Sequence, residues 1–238
     1  MSSPRIKAVL FDLDDTLWPI VPVIKRAETI LFDWLAVHAP EVARLHTIEG
    51  LRERRMELAK TDPRFRYDLT ALRRTGLEEA FRAAGADPGR VHDAMAVFIR
   101  ARNEVEPFED VLPMLARLSA LVKVGSVTNG AADLEVIGMA SHFHVSIAAH
   151  AMGCAKPDPA IFHAACDALD VAPAETVYVG DDPVLDVEGA RNAGLQAVWL
   201  NRTELFPDRS CPPHIRPDAI CRTLHELDDW LADRIVRG

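Results

Sequence analysis

The stretch Ala8-Val9-Leu10-Phe11-Asp12-Leu13-Asp14-Asp15-Thr16 decides how the rest of this chain is read. A short apolar run that stops on acids suits a strand buried on both faces, as in a parallel sheet. Four further runs take similar form: residues 121–127 leading into Thr128-Asn129-Gly130, residues 145–149, residues 176–179 leading into Gly180-Asp181-Asp182, and residues 196–200. Helical patterns over residues 131–139, 159–169 and 184–193 lie between the later runs. Apolar strands alternating with single helices indicate βαβ units, hence an α/β fold built on a doubly wound parallel sheet.

Residues 18–107 break the alternation. They contain no convincing strand and read as four helices, over residues 21–37, 41–60, 68–84 and 90–105, punctuated by Pro40, Asp62-Pro63 and Asp87-Pro88-Gly89. The expected organisation is therefore a core formed by residues 1–17 and 108–238, with a smaller all-helical domain at 18–107 inserted after the first strand. The segment after Asn201 holds Pro207, Pro212, Pro213 and Pro217 and reads as a surface loop before a final helix over residues 224–235.

A formal net charge of −9 argues against a nonspecific grip on nucleic acid, although a bound cation can reverse the local field at a site. Cys154, Cys166, Cys211 and Cys221 form no CxxC pair and read as reduced thiols. No apolar run reaches the roughly 18 residues that span a membrane, and residues 1–7 lack the form of a signal peptide, so the expected compartment is the cytoplasm. The expected state is a monomer or homodimer.

The acids carry the chemistry. Asp12, Asp14, Asp181, Asp182 and Asp186 all fall at or just past the carboxyl ends of expected strands, the edge where open α/β sheets bind ligands. Carboxylates converging there repel one another unless a cation joins them, and hard oxygen ligands without His or thiolate favour magnesium. Helix capping is the bland alternative, and for Asp182 alone the two readings are evenly balanced. Asp12 and Asp14 are two residues apart; if the chain turns after Leu13, one carboxylate can attack while the other meets the leaving oxygen. Carboxylate nucleophiles that form an aspartyl-phosphate split phosphoryl transfer into two steps. Positioning and charge neutralisation then fall to the Thr128 hydroxyl, the Asn129 and Gly130 amides as an anion nest, and the Lys156 cation.

With these residues in order, the chain resembles the haloacid dehalogenase-like hydrolase superfamily. Its four motifs are matched by Asp12-Leu13-Asp14-Asp15-Thr16, by Thr128 ending a strand, by Lys156-Pro157, and by Gly180-Asp181 with Asp186 five residues later. The resemblance implies Asp12 as nucleophile and Asp14 as general acid/base, with Thr128 and Lys156 binding the phosphoryl group. It also implies magnesium held by Asp12, Asp181 and the backbone carbonyl of Asp14, with Asp186 in support. The helical insert is similar to the family's cap, which closes over the site and selects substrates. Within the superfamily, FDLDDTLW at 11–18, Pro22-Val23-Ile24, the segment of residues 66–85 and Pro213-His214-Ile215 look most like bacterial phosphatases acting on flavin mononucleotide and on a phosphorylated riboflavin precursor. A small phosphorylated metabolite is thus the expected partner.

Residues 44–82 carry ten Lys and Arg against seven Asp and Glu, so some of Arg64, Arg66, Arg73 and Arg74 could face an anionic substrate. A solvated helix face is the more ordinary reading for any single one. Trp18 could stack on a planar ring or pack at a hinge. Three other functions share the motifs in whole or part: a dehalogenase, a phosphomutase, and a phosphoryl-aspartate regulatory module without turnover. Asp14 argues against the dehalogenase, because a departing halide needs no proton.

Overall fold

The computed structural model describes residues 5–235. Strand β1 (Ala8–Phe11) is buried throughout and leads, after the turn carrying Asp12–Trp18, into a helical unit. That unit contains α1 (Ile20–His38), α2 (Pro40–Leu45), α3 (Ile48–Leu58), α4 (Leu69–Ala83) and α5 (Val91–Arg102). The remaining elements are α6 (Val111–Ser119), β2 (Lys123–Thr128), α7 (Leu134–Ile137), β3 (Val145–Ala148), α8 (Ala149–Met152), α9 (Pro159–Leu169), β4 (Thr176–Gly180), a π-helical stretch (Pro183–Glu188), α10 (Gly189–Asn192), β5 (Gln196–Leu200), β6 (Ala219–Cys221) and α11 (Leu224–Leu231). None of the described helices is long and apolar enough to cross a membrane.

The six strands form one parallel sheet in the order β3-β2-β1-β4-β5-β6. Strand β1 is central, with Val9 opposite Val124 on one side and Val177 on the other. The order reverses between β1 and β4, so the carboxyl ends of β1, β2 and β4 frame the crevice where such sheets bind ligands. Compact units divide at Pro19/Ile20 and Val105/Glu106, with Ala131–Asp133 grouped with the helical unit; the sequence reading placed these boundaries at 17/18 and 107/108.

Several expected elements differ from those observed. The helix expected over residues 41–60 is two helices, because His46 is extended and the Thr47 side chain accepts from Gly50 N to start a new helix. Helix α6 has no counterpart in the expected elements, although Val111, Met114, Leu115 and Leu118 share a buried face. Its Pro113 lies in the first turn, where a missing N–H is tolerated. Strand β6 falls within the segment expected as a loop; it pairs with the edge of β5 and is too short, with Ile220 exposed, to show a pattern.

The helical unit has its own core, formed by residues such as Leu31, Leu35, Phe81, Met95 and Phe98. At its edge the buried Glu28 meets Arg52, Arg55 and Arg73. Burial opposes ionisation of Glu28, but the three guanidiniums overcome it and hold its pKa below the ordinary glutamate value. Arg73 is stacked on Phe98, 3.5 Å from the ring centre, and burial with Arg55 alongside pushes its pKa down to about 9. Part of the basic excess in this segment is thus consumed by an internal acid, and Arg64 pairs with Asp62 at 3.4 Å.

Candidate active site

The chain leaves β1 at Asp12 and reverses over Asp14–Trp18, with Asp15 in the left-handed region at φ 62°. Asp12 N donates to Val179 O at 2.9 Å, which fixes its backbone against β4. The reversal aims Thr16 back at the strand end, where its hydroxyl meets Asp181 Oδ1 at 3.1 Å and Asp12 Oδ2 at 3.5 Å. Trp18 is fully buried and donates to Asp14 Oδ1 at 2.9 Å, so it is packed inside and offers no face for stacking a substrate ring.

Lys156 is the hub. Its ammonium donates to Asp12 Oδ1 at 2.6 Å, Asp186 Oδ1 at 2.7 Å and Tyr178 Oη at 2.9 Å. Three donors meet three acceptors. The Tyr178 hydroxyl donates onward to Val127 O at 2.8 Å, tying the lysine to β2 and β4 together. Asn129 holds the lysine's backbone from both sides, accepting from Lys156 N at 2.8 Å and donating to Lys156 O at 3.0 Å.

Asp181 continues β4 and Asp186 returns to it through the π-helical stretch. One oxygen from each of Asp12, Asp181 and Asp186 lies within 4.8 Å of the others, and all three residues are buried. Gly180 is required by this approach: a Cβ there would come within 2.3 Å of the Asp186 carboxyl carbon. Asp182 is a cap, accepting from Val184 N at 2.8 Å and Leu185 N at 2.9 Å, while its own N–H donates to Asp186 Oδ2 at 2.8 Å.

The electrostatics are those of a site short of positive charge. Burial, reinforced by Asp186 and Asp181, raises the Asp12 pKa despite the pull of Lys156. Burial and Asp186 likewise push Asp181 up to about 6 against Arg209. Lys156 is the reverse case: burial disfavours its charge, and Asp12 and Asp186 more than compensate, so it stays charged. A buried all-carboxylate donor set in which burial disfavours the charge on Asp12 and Asp181 fits a hard divalent cation such as magnesium.

The structure thus brings together Asp12, Lys156, Asp181 and Asp186, and places Asp14 on the adjoining turn. One expectation is adjusted. The Gly130 N–H goes to the Thr128 hydroxyl at 2.9 Å, so it is engaged rather than open as part of an anion nest, and the Asn129 side chain serves Lys156. Asp186, expected in support of the metal ligands, lies beside Asp12 and Asp181 and is held by Lys156 Nζ at 2.7 Å and Asp182 N at 2.8 Å.

Four neighbours escaped the sequence reading. Tyr178 looks like an ordinary strand residue. Arg209 comes from the proline-rich loop and pairs with Asp181 Oδ2. Arg202 makes a buried two-armed pair with Asp110, at 3.0 and 3.2 Å, and its Nε donates to Thr16 O at 3.2 Å, bracing the turn. Arg209 and Asp110 lie at no short, patterned spacing from the acids, and Tyr178, though close before Asp181, carries no mark that separates it from a core residue; the adjacency of Arg202 to the end of the β5 run was a further local signal.

Comparisons with known proteins agree with this arrangement. A sequence model described as haloacid dehalogenase-like hydrolase matches residues 6–194. The chain is 30% identical over 200 residues to the 5-amino-6-(5-phospho-D-ribitylamino)uracil phosphatase of Escherichia coli, covering 82% of this chain and 84% of that one. It is 34% identical over 210 residues to a glyceraldehyde 3-phosphate phosphatase of Methanopyrus kandleri, covering 83% and 84%. Among solved structures, a 2-haloacid dehalogenase from Pseudomonas syringae superposes with a TM-score of 0.88 at 38% identity, covering 96% and 99%. The parallel sheet, the strand-end acids and the family match lead to one conclusion: the chain belongs to the haloacid dehalogenase-like hydrolase family, and the two curated enzymes it resembles here are phosphatases.

Proposed function

We propose that this protein is a magnesium-dependent phosphatase that hydrolyses a small phosphorylated metabolite through an aspartyl-phosphate on Asp12. The observation that carries the reading is Asp14, a second carboxylate on the turn directly after a buried Asp12 gripped by Lys156. Lys156 holds one oxygen of Asp12 and leaves the other to attack phosphorus. The Asp12 oxygen–phosphorus bond forms as the phosphorus–alkoxide bond breaks, and Asp14 gives its proton to the departing oxygen. Water then attacks phosphorus, Asp14 takes up its proton, and phosphate leaves with Asp12 restored. Thr128, the Asn129 backbone and Lys156 bind the phosphoryl oxygens; the ammonium must exchange one of its three present acceptors to do so. Asp12, Asp181 and the Asp14 carbonyl, with Asp186 beside them, would hold the metal, which when bound supplies charge neutralisation for the phosphoryl group.

The similarity to a phosphatase of a phosphoribityl pyrimidine supports a riboflavin-pathway phosphate or flavin mononucleotide as substrate. A second reading, haloacid dehalogenase, is favoured by the likeness to the Pseudomonas syringae structure. Halide displacement would use Asp12 but neither Asp14 nor a metal. Hydrolysis of p-nitrophenyl phosphate, flavin mononucleotide and other phosphate monoesters, measured with magnesium and with a chelator, separates the two. Magnesium-dependent phosphate release is expected; steady chloride release from a 2-haloacid, indifferent to chelator, would replace this reading with the second.

A further inference from the structure

The carboxylate group is served by two cations with different attachments. Lys156 is almost fully buried, with 3% of its side chain exposed, and its ammonium is held by three partners. Arg209 retains 26% exposure and sits on a segment between β5 and β6 that contains no regular helix or strand. Its guanidinium contacts the Asp181 carboxylate and also donates to Asp181 O at 3.1 Å, a carbonyl that Trp199 Nε1 independently serves at 2.8 Å. Phe206 backs it, with the ring centre 4.0 Å from Cζ. Arg209 can therefore leave Asp181 without stranding the carbonyl, and partial exposure keeps its own rehydration easy. Lys156 has no comparable exit.

Counting formal charges, Asp12, Asp181 and Asp186 against Lys156 alone leave −2, and Arg209 reduces this to −1. A divalent ion entering with Arg209 in place would turn the group net positive while competing for an Asp181 oxygen.

We propose that Arg209 is a displaceable internal cation that sets the magnesium affinity of the Asp12–Asp181–Asp186 group, holding Asp181 until the metal takes its place. The inference rests on the metal reading above and adds to it a positioning residue from the proline-rich loop. Isothermal titration of the intact protein with magnesium chloride at fixed ionic strength tests it, comparing wild type with Arg209→Met, Arg209→Gln and Arg209→Lys. Removing a unit charge that touches a ligand carboxylate should tighten magnesium binding by about tenfold in the Met and Gln variants. Arg209→Lys, which keeps the charge, should stay between them and wild type. Unchanged or weaker binding in a folded neutral variant overturns the proposal and leaves the metal site standing. No magnesium binding by any of the proteins, wild type included, removes the metal reading and this proposal with it.

Discussion

The two units each bury an acid among cations, and they do so to opposite effect. In the helical unit Glu28, 4% exposed, is outnumbered by three arginines and its pKa is lowered. At the sheet edge Asp12, 7% exposed, shares one lysine with Asp186 and its pKa is raised. Three guanidiniums favour the charge on Glu28 where it lies, whereas burial disfavours the charge on Asp12. Buried charge therefore does not mark a site by itself; the sign of the perturbation separates an acid that stabilises the fold from one kept ready for a cation and a substrate.

The largest effect that would sharpen this contrast is on turnover. Asp12→Asn should lower kcat for any phosphate monoester by at least about 1,000-fold, as expected for loss of a nucleophile. Its melting temperature should not fall, since the change removes a charge that burial disfavours. A marked loss of stability in this variant would place Asp12 in the same class as Glu28.

The mirror experiment targets the helical unit. Glu28→Ala leaves three guanidiniums without their shared carboxylate and should cost about 3 kcal/mol of stability in denaturant unfolding. Replacing Arg73 by Met in the same chain should return part of that loss. If the single substitution is neutral, the cluster is not a structural pair network and the comparison fails on that side.

Acid titration gives the smallest effect. Because the Glu28 pKa lies below its value in the unfolded chain, about 4.3, its stabilisation is complete above that pH. It fades as pH falls through the lower folded-state value. Stability curves of wild type and Glu28→Gln should therefore converge toward acid and run parallel above about pH 5; curves that diverge on acidification would reverse the assigned sign.

Much of the site was legible because local rules produce it. The apolar run before Asp12, the repeated strand–acid pattern at Asp181 and the spacing of Asp12 to Asp14 are properties of adjacent residues, and parallel βαβ winding brings such strand ends to one edge. The helical insert was visible for the same reason, through its periodicity and its proline and glycine breaks. Strand β6 and helix α6 were not, the first because three exposed-edge residues show no alternation and the second because Pro113 resembles a stop until its place in the first turn is known.

By itself, then, the sequence determined the α/β class, the inserted helices and the acids that end the strands, since each follows from short-range patterning of apolar and charged side chains. Only the tertiary structure decided that Asp186 shares Lys156 with Asp12, that Tyr178 and Asn129 hold Lys156, and that Arg209 rather than a nearer residue meets Asp181. Those contacts join residues far apart in the chain, and electrostatic partners at such separations leave no periodic trace for a sequence to show.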